Sequence, residues 1–293
     1  MTPQTQDEHP LTFRRIDPAR EEGRLREFLS SVDPDDYLLR DLEEWVHEGR
    51  LWVGEEEGAW VAFARFHDLG DGEGWLSGAR VVPARRGRGV GGQLLDALLQ
   101  DGRAIGVTAF RAAIEESNMP SRRVFDRFGF QPVVTMALRR GFAASGSDLR
   151  LRRADPGEGI DGPVGWLPEY AHRVDKLPDS DGGRFGTWRP SLLVRWANEG
   201  KLYVGPGLAA AVQLDWWKTP RTLWVNPLRG ELAALVPALN ALTRELNHEE
   251  WQAFFPSTDP LRAECAALGL VPHPAWGDRV RLYERVEAAT PRP

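Results

Sequence analysis

Apolar and polar positions in the first half of the chain fall into short runs of two kinds. Leu11–Ile16 reads as a strand, and Asp17-Pro18 supplies an N-cap and a first helical residue for a helix that turns Leu25, Phe28 and Leu29 inward. Asp33-Pro-Asp-Asp36 breaks that helix, and a second is expected from Tyr37 to Glu48, stopped by Gly49. Strands are expected at Leu51–Gly54, Trp60–His67 and Gly74–Val82, separated by Glu-Glu-Glu-Gly and Asp-Leu-Gly-Asp-Gly turns. Leu94, Leu95, Leu98 and Leu99 recur at helical spacing. A strand at Thr108–Ile114, a helix over Pro120–Phe128 and a last strand near Val133–Leu138 complete the half. Strands mixed with helices in this order point to an α/β fold built on a mixed sheet.

The transition into the Leu94 helix is unusual. Val81 and Val82 stop at Pro83, which cannot donate to a strand ladder, and Arg85, Arg86, Gly87, Arg88, Gly89, Val90, Gly91 and Gly92 follow. Glycines let the main chain turn tightly and bring bare N–H groups up to a ligand. Those groups open a helix, where donors are unpaired and the dipole is positive, and three arginines add charge. Such a loop suits a pyrophosphate. Gly87-x-Gly89-x-x-Gly92 also fits the dinucleotide fingerprint formally, but that motif follows its strand directly, and here Pro83 to Arg86 intervene. A third reading is an Arg/Gly surface loop without a ligand.

Val82-Pro83-x-x-Arg86-x-Arg88-Gly89-Val90-Gly91 resembles the acyl-CoA loop of the GCN5-related N-acetyltransferases, whose core is Gln/Arg-x-x-Gly-x-Gly/Ala. A second block, Asn118-Met-Pro-Ser121-Arg-Arg-Val-Phe125-Asp-Arg-Phe128-Gly129-Phe130, is similar to that family's Asn-x-x-Ala-x-x-x-Tyr-x-x-x-Gly-Phe, at the expected distance. One departure is Phe125, where the family usually carries the tyrosine that protonates the leaving thiolate. The resemblance implies a mixed α/β acyltransferase fold and acetyl-CoA, or a close acyl-CoA, as co-substrate. It implies transfer of the acyl group to a primary amine of a small molecule or peptide in a ternary complex. The pyrophosphate would sit on the amides of Arg86 to Gly92, and the pantetheine along Val81 and Val82. Asn118 and Phe125 would border the thiol end. An alternative is a CoA-sensing or interaction protein that has lost turnover.

After Gly141–Asp148, a stretch of small residues that reads as a linker, the pattern begins again. Leu149–Pro156 repeats Leu11–Pro18 with five of eight residues identical. Arg195–Gly205 repeats Glu44–Gly54 with six of eleven, and Ala267–Pro272 echoes Arg127–Pro132. Three echoes in the same order indicate an internal duplication. The expected division is a catalytic domain over residues 1–145 and a second copy over residues 146–293. In that copy the loop is reduced to Arg229-Gly230 followed by Glu231, whose carboxylate would repel a phosphate. It is therefore expected to be structural, in a monomer or homodimer.

Composition narrows the partners. The net charge is −6, which argues against nucleic acid, and no apolar run approaches a membrane span. The N-terminus does not read as a signal peptide, so the cytoplasm is the expected setting. The single cysteine, Cys265, reads as core packing, and the six histidines show no metal-ligand spacing.

An amine is mostly protonated at neutral pH, so a base is required, directly or through water. Glu73, Glu115 and Glu116 are the candidates, at the start of one strand and the end of the next. Ser121, Ser117, Tyr37 or a water would protonate the thiolate. Asp33, Asp35 and Asp36 either attract a cationic amine or cap a helix. Ser77-Gly-Ala-Arg80-Val81 is similar to a subgroup that includes free-histidine acetyltransferases, but five residues do not identify an acceptor.

Overall fold

The computed structural model describes residues 10–40, 42–47, 50–145, 148–158, 176–178, 184–187, 190–214, 221–274, 276 and 279–288. The chain forms two compact units. The first comprises Met1–Ala112, Pro120–Phe130 and Glu284–Pro293; the second comprises Ala113–Met119 and Gln131–Tyr283. These units do not divide at the expected border between residues 145 and 146: the first includes Glu284–Pro293, and the second already includes Gln131 onward.

In the first unit, β1 (Thr12–Arg15), β2 (Arg50–Glu56), β3 (Ala59–Gly70) and β4 (Glu73–Val81) form an antiparallel run in that order. β5 (Ala109–Glu115) pairs with β4 in parallel, through residues 109–111. The helix α1 (Pro18–Val32) follows β1, and the Asp17 side chain accepts from the Ala19 amide as its N-cap. Leu25, Phe28 and Leu29 are buried, as the spacing requires, in a core cluster with Trp45, Leu51, Trp60 and Phe63. The helix expected over Tyr37–Glu48 is instead a 3-10 turn, Tyr37–Leu39, and a short α2 (Leu42–His47). The cause is local: Asp36 Oδ1 accepts from the Leu38 amide and starts the tighter turn. Glu48 and Gly49 lie outside the described residues. After β4 come α3 (Val90–Ala104), which buries Leu94, Leu95, Leu98 and Leu99, and α4 (Met119–Arg127).

The second unit begins with β6 (Gln131–Phe142). This strand runs four residues past the expected Leu138 because β13 (Glu250–Pro256) pairs with it antiparallel, Glu250 opposite Phe142 and Pro256 opposite Met136. Gly141, expected in a linker, lies in the strand against the face of Trp251. The order continues from β13 to β12 (Thr222–Arg229), β11 (Leu208–Leu214), β10 (Leu202–Gly205) and β7 (Arg152–Arg153). In the run from β13 to β7, among the described residues, only the β12–β13 pair is parallel, which repeats the β4–β5 arrangement of the first unit. β8 (Lys176–Pro178) and β9 (Phe185–Thr187) form a separate two-stranded antiparallel sheet that the sequence did not announce. The helices are α5 (Pro190–Asn198), α6 (Leu232–Glu245) and α7 (Asp259–Ala267), and β14 (Val271–Pro272) pairs with β6. The last strand, β15 (Val280–Val286), passes from the second unit into the first at Glu284.

The echoes in sequence are echoes in structure. Arg14 makes a two-pronged ion pair with Glu21 (2.7 and 3.0 Å), whose carboxylate also accepts from the Asp17 amide. Arg152 does the same with Glu158 (2.8 and 2.9 Å), which accepts from the Asp155 amide. Gly129 and Gly269 end α4 and α7 at φ of 78° and 79°.

Candidate active site

The loop between β4 and α3 begins with the 3-10 turn Pro83–Arg85 and reaches the helix through Gly87 and Gly89, at φ of 76° and 83°. A side chain is strained at such angles, so glycine sets the path here. Gly89 is the N-cap of α3, and its carbonyl accepts from the amides of Gly92 and Gln93. The amides of Gly87, Arg88, Gly89, Val90 and Gly91 donate to no backbone group among the described residues. Residues 86–89 are exposed. Five free donors at a helix N-terminus make an anion cradle.

The three arginines of the loop are used differently. Arg85 pairs with Glu56, and Arg86 Nε donates to the Val81 carbonyl at 3.0 Å, tying the loop back to the strand. Arg88 remains exposed with no side-chain partner among the described residues. Behind the loop, α4 packs on the start of α3, with the Phe128 ring against Gly92.

β4 is built to leave an edge open. Its ladder with β5 has three pairs, Glu73–Ala109, Gly74–Phe110 and Trp75–Arg111, and ends there. On the β3 side, Phe63 faces Arg80 and Arg65 faces Ser77, so Gly78 and Ala79 together stand opposite Ala64 as a bulge. The Val82 amide donates to the Val61 carbonyl of β3 at 3.0 Å, and the Val82 carbonyl accepts from Arg85. Both polar groups of Val82 are therefore engaged, which corrects its expected place along the pantetheine. Alternation along the strand turns the Val81 amide to the opposite, open edge.

Beside the bulge lies a polar cluster that the motifs did not reveal. Asp36 is 5% exposed and binds Arg80 with both oxygens, one of them at 2.8 Å from Nη2. Asp36 is thus a cap and an ion-pair partner, not a free attractor for an amine. Tyr37 lies 5.3 Å from the Arg80 guanidinium, and burial pushes its hydroxyl above the usual tyrosine range, so it stays protonated. Arg65 stacks on the Trp45 ring at 3.6 Å, with its Nε 3.3 Å from Ser77 Oγ.

The candidate carboxylates differ in surroundings. Glu73 is buried and lies 3.2 Å from Arg111 Nη1, inside the first unit. Glu116 belongs to the second unit, where Arg279 (2.8 Å) and Arg281 hold its two oxygens. Glu115, also in the second unit, is exposed, and Ser117 Oγ approaches it at 3.4 Å. The amide of Asn118 donates to the Glu115 carbonyl at 3.0 Å. Ser121 and Phe125 stand one turn apart on α4, both half-buried, and the Phe125 ring packs on Phe130 at 4.6 Å.

The second unit has no such loop. Eight residues, 82–89, separate β4 from α3, whereas Gly230 and Glu231 alone separate β12 from α6. Glu231 is the N-cap, and Leu232 is the buried first residue of the helix. Cys265, which corresponds to Phe125, is 1% exposed, and burial pushes its thiol up to about 11. It packs and does not react. Among the described residues no group of three or more His, Cys, Asp or Glu is placed to hold a metal, and no helix is long and apolar enough to cross a membrane.

Residues 19–130 match the model of the acetyltransferase (GNAT) family. A mycothiol acetyltransferase of Beutenbergia cavernae is 31% identical over 107 residues. That match covers 35% of this chain and spans about a third (35%) of the curated relative. Among solved structures, a GCN5-related N-acetyltransferase from Sphaerobacter thermophilus is 15% identical with a TM-score of 0.62, covering 96% of this chain and 99% of that one. A tandem GNAT protein from the clavulanic acid biosynthesis pathway is 16% identical with a TM-score of 0.57, covering 97% and 100%. Residues 19–130 are thus similar to the GNAT acetyltransferase family, and the chain carries the mixed α/β fold of these solved structures, duplicated in tandem.

Proposed function

We propose that the first unit transfers an acyl group from acetyl-CoA, or a close acyl-CoA, to a primary amine of a small molecule or peptide. The observation that carries this reading is the run of five free amides, Gly87 to Gly91, beside a β4–β5 ladder that stops after three pairs. The amides bind the pyrophosphate, and exposed Arg88 adds positive charge. The open edge of β4 accepts the extended pantetheine as an added strand. The Val81 amide, facing that edge, donates to the pantetheine as part of that added strand. Glu73 takes the proton of the amine. Ser121, on the same face of α4 as Phe125, relays a proton to the thiolate, with water as the other source.

A second reading rests on Phe125. Its ring packs on Phe130 and supplies no hydroxyl, as expected of a CoA-binding module without turnover. Calorimetry with acetyl-CoA, CoA and NAD comes first, and a protein that binds NAD but not CoA would defeat both readings. Gly89→Glu places a carboxylate on the cradle, and the expected result is loss of CoA binding with the fold retained. Amine-dependent release of CoA across a panel of amines, amino acids and peptides then decides. Steady binding without release from any of them favours the binding module.

A further inference from the structure

Arg111 is a charged residue within an otherwise apolar strand, Ala109-Phe-Arg111-Ala-Ala-Ile114, and it is 1% exposed. Its guanidinium is held from two sides. Glu284 Oε2, on the last strand of the chain, accepts from Arg111 Nε at 2.6 Å. Glu73, the first residue of β4, lies at 3.2 and 3.3 Å from the two terminal nitrogens. The short bond goes to Glu284 and the long ones to Glu73. Trp75–Arg111 is also the last pair of the β4–β5 ladder, so this fork sits where the two strands part. A planar guanidinium bound to one carboxylate in a fixed geometry constrains the direction of the other.

We infer that Glu284 is a positioning residue for Glu73. Acting through Arg111, it fixes the Glu73 carboxylate and draws the guanidinium away from it, which leaves Glu73 able to accept a proton. The inference rests on the acyl-transfer reading of the same unit. In that reaction the alkylammonium gives one proton to a Glu73 oxygen, and the freed amine nitrogen bonds to the thioester carbon. The C–S bond then breaks, and the thiolate leaves with the second proton from nitrogen. Without the Glu284 charge, Arg111 closes on Glu73, and an opposite charge at shorter range lowers the proton affinity of a carboxylate.

The test uses the full chain with Glu284→Gln and Glu284→Asp. Carboxyl-13C NMR follows the titration of Glu73, whose signal is the one missing in Glu73→Gln. In Glu284→Gln the midpoint is expected to fall by about half a pH unit or more. With the best amine of the panel, kcat is expected to fall on the order of tenfold while KM for acetyl-CoA stays within about twofold. Glu284→Asp, which keeps the charge, is expected to restore most of both effects, and it carries the test if the Gln variant does not fold. An unmoved Glu73 midpoint overturns the inference. So does a loss of kcat matched by equal losses in acetyl-CoA binding and melting temperature, because that pattern reports scaffold damage alone. A wild-type chain that does not bind acetyl-CoA defeats the acyl-transfer reading instead, and the NMR titration still reports whether Glu284 governs Glu73.

Discussion

Gly78 and Trp45 constrain each other. Gly78 sits in the β4 bulge at φ of 67°, and a Cβ there would lie 2.5 Å from the Trp45 ring. Replacing it with alanine imposes left-handed strain and displaces a buried indole on which Arg65 also stacks. The expected cost of Gly78→Ala is about 2–4 kcal/mol, measured by denaturant unfolding. A loss under 0.5 kcal/mol would show that Trp45 moves aside freely. Nothing in Ser77-Gly-Ala announces the bulge, because a glycine inside a strand is equally consistent with a turn or a weak strand. Arg111 could have been noticed, since a lone arginine in an apolar strand must find an acid. Its partner Glu284 is separated by 173 residues, and only the fold brings them together.

Helix α1 is joined to its sheet by Arg14, which binds both Glu21 and Glu55; the Glu55 contacts are 2.8 and 2.9 Å. Hydrogen bonds from Arg14 are the leading cause that holds both carboxyls below the usual glutamate range. A depressed carboxyl contributes stability that is complete above its unfolded value, here 4.5, and is lost as pH falls through the folded value. Melting temperature is therefore expected to fall more steeply below about pH 4.5 in the wild type than in a Glu21→Gln/Glu55→Gln variant. These side chains keep partial contact with water, so the difference is small, and parallel melting curves down to pH 3 would show that the network contributes nothing. In the second unit Arg152 and Glu158 repeat the device, and Glu158 is held down to about 2 by the Arg152 hydrogen bonds. The spacing of Arg14-Arg-x-Asp-Pro and Arg152-Arg-x-Asp-Pro made this element legible as a repeat.

At the scale of the chain, the first unit is completed by residues from the opposite end. Glu287 binds Arg103 at 2.7 and 2.8 Å and donates its amide to the Thr108 carbonyl. Arg285 donates to the Phe128 carbonyl at the end of α4, and Glu284 binds Arg111. The C-terminal strand thus touches α3, β5 and α4 of the unit that carries the cradle. A chain truncated after Arg279 is expected to lose acetyl-CoA binding and hydrogen-exchange protection over residues 109–112. Adding a synthetic peptide of residues 280–293 is expected to restore part of both. A truncated chain with unchanged binding and protection would show that the clasp is dispensable.

The amino-acid sequence by itself determined most element types of the first half, the α3 and α1 core faces, the glycine loop, the duplication and the shortening of its second loop. All of these are local signals: a period of 3.6 or 2, a cap, a run of glycines, or a short repeat in register. Tertiary structure alone decided which strand closes which unit. β6 is the last strand of the first copy in sequence yet pairs with β13, and residues from Glu284 onward complete the first unit. Strand pairing is set by contacts between residues far apart in sequence, and two similar copies offer two pairings that local pattern does not distinguish. The same holds for the polar interior. Asp36–Arg80 and Glu73–Arg111–Glu284 satisfy charges that the sequence scatters over the whole chain, and folding selects those partners because a buried charge without one is too costly to keep.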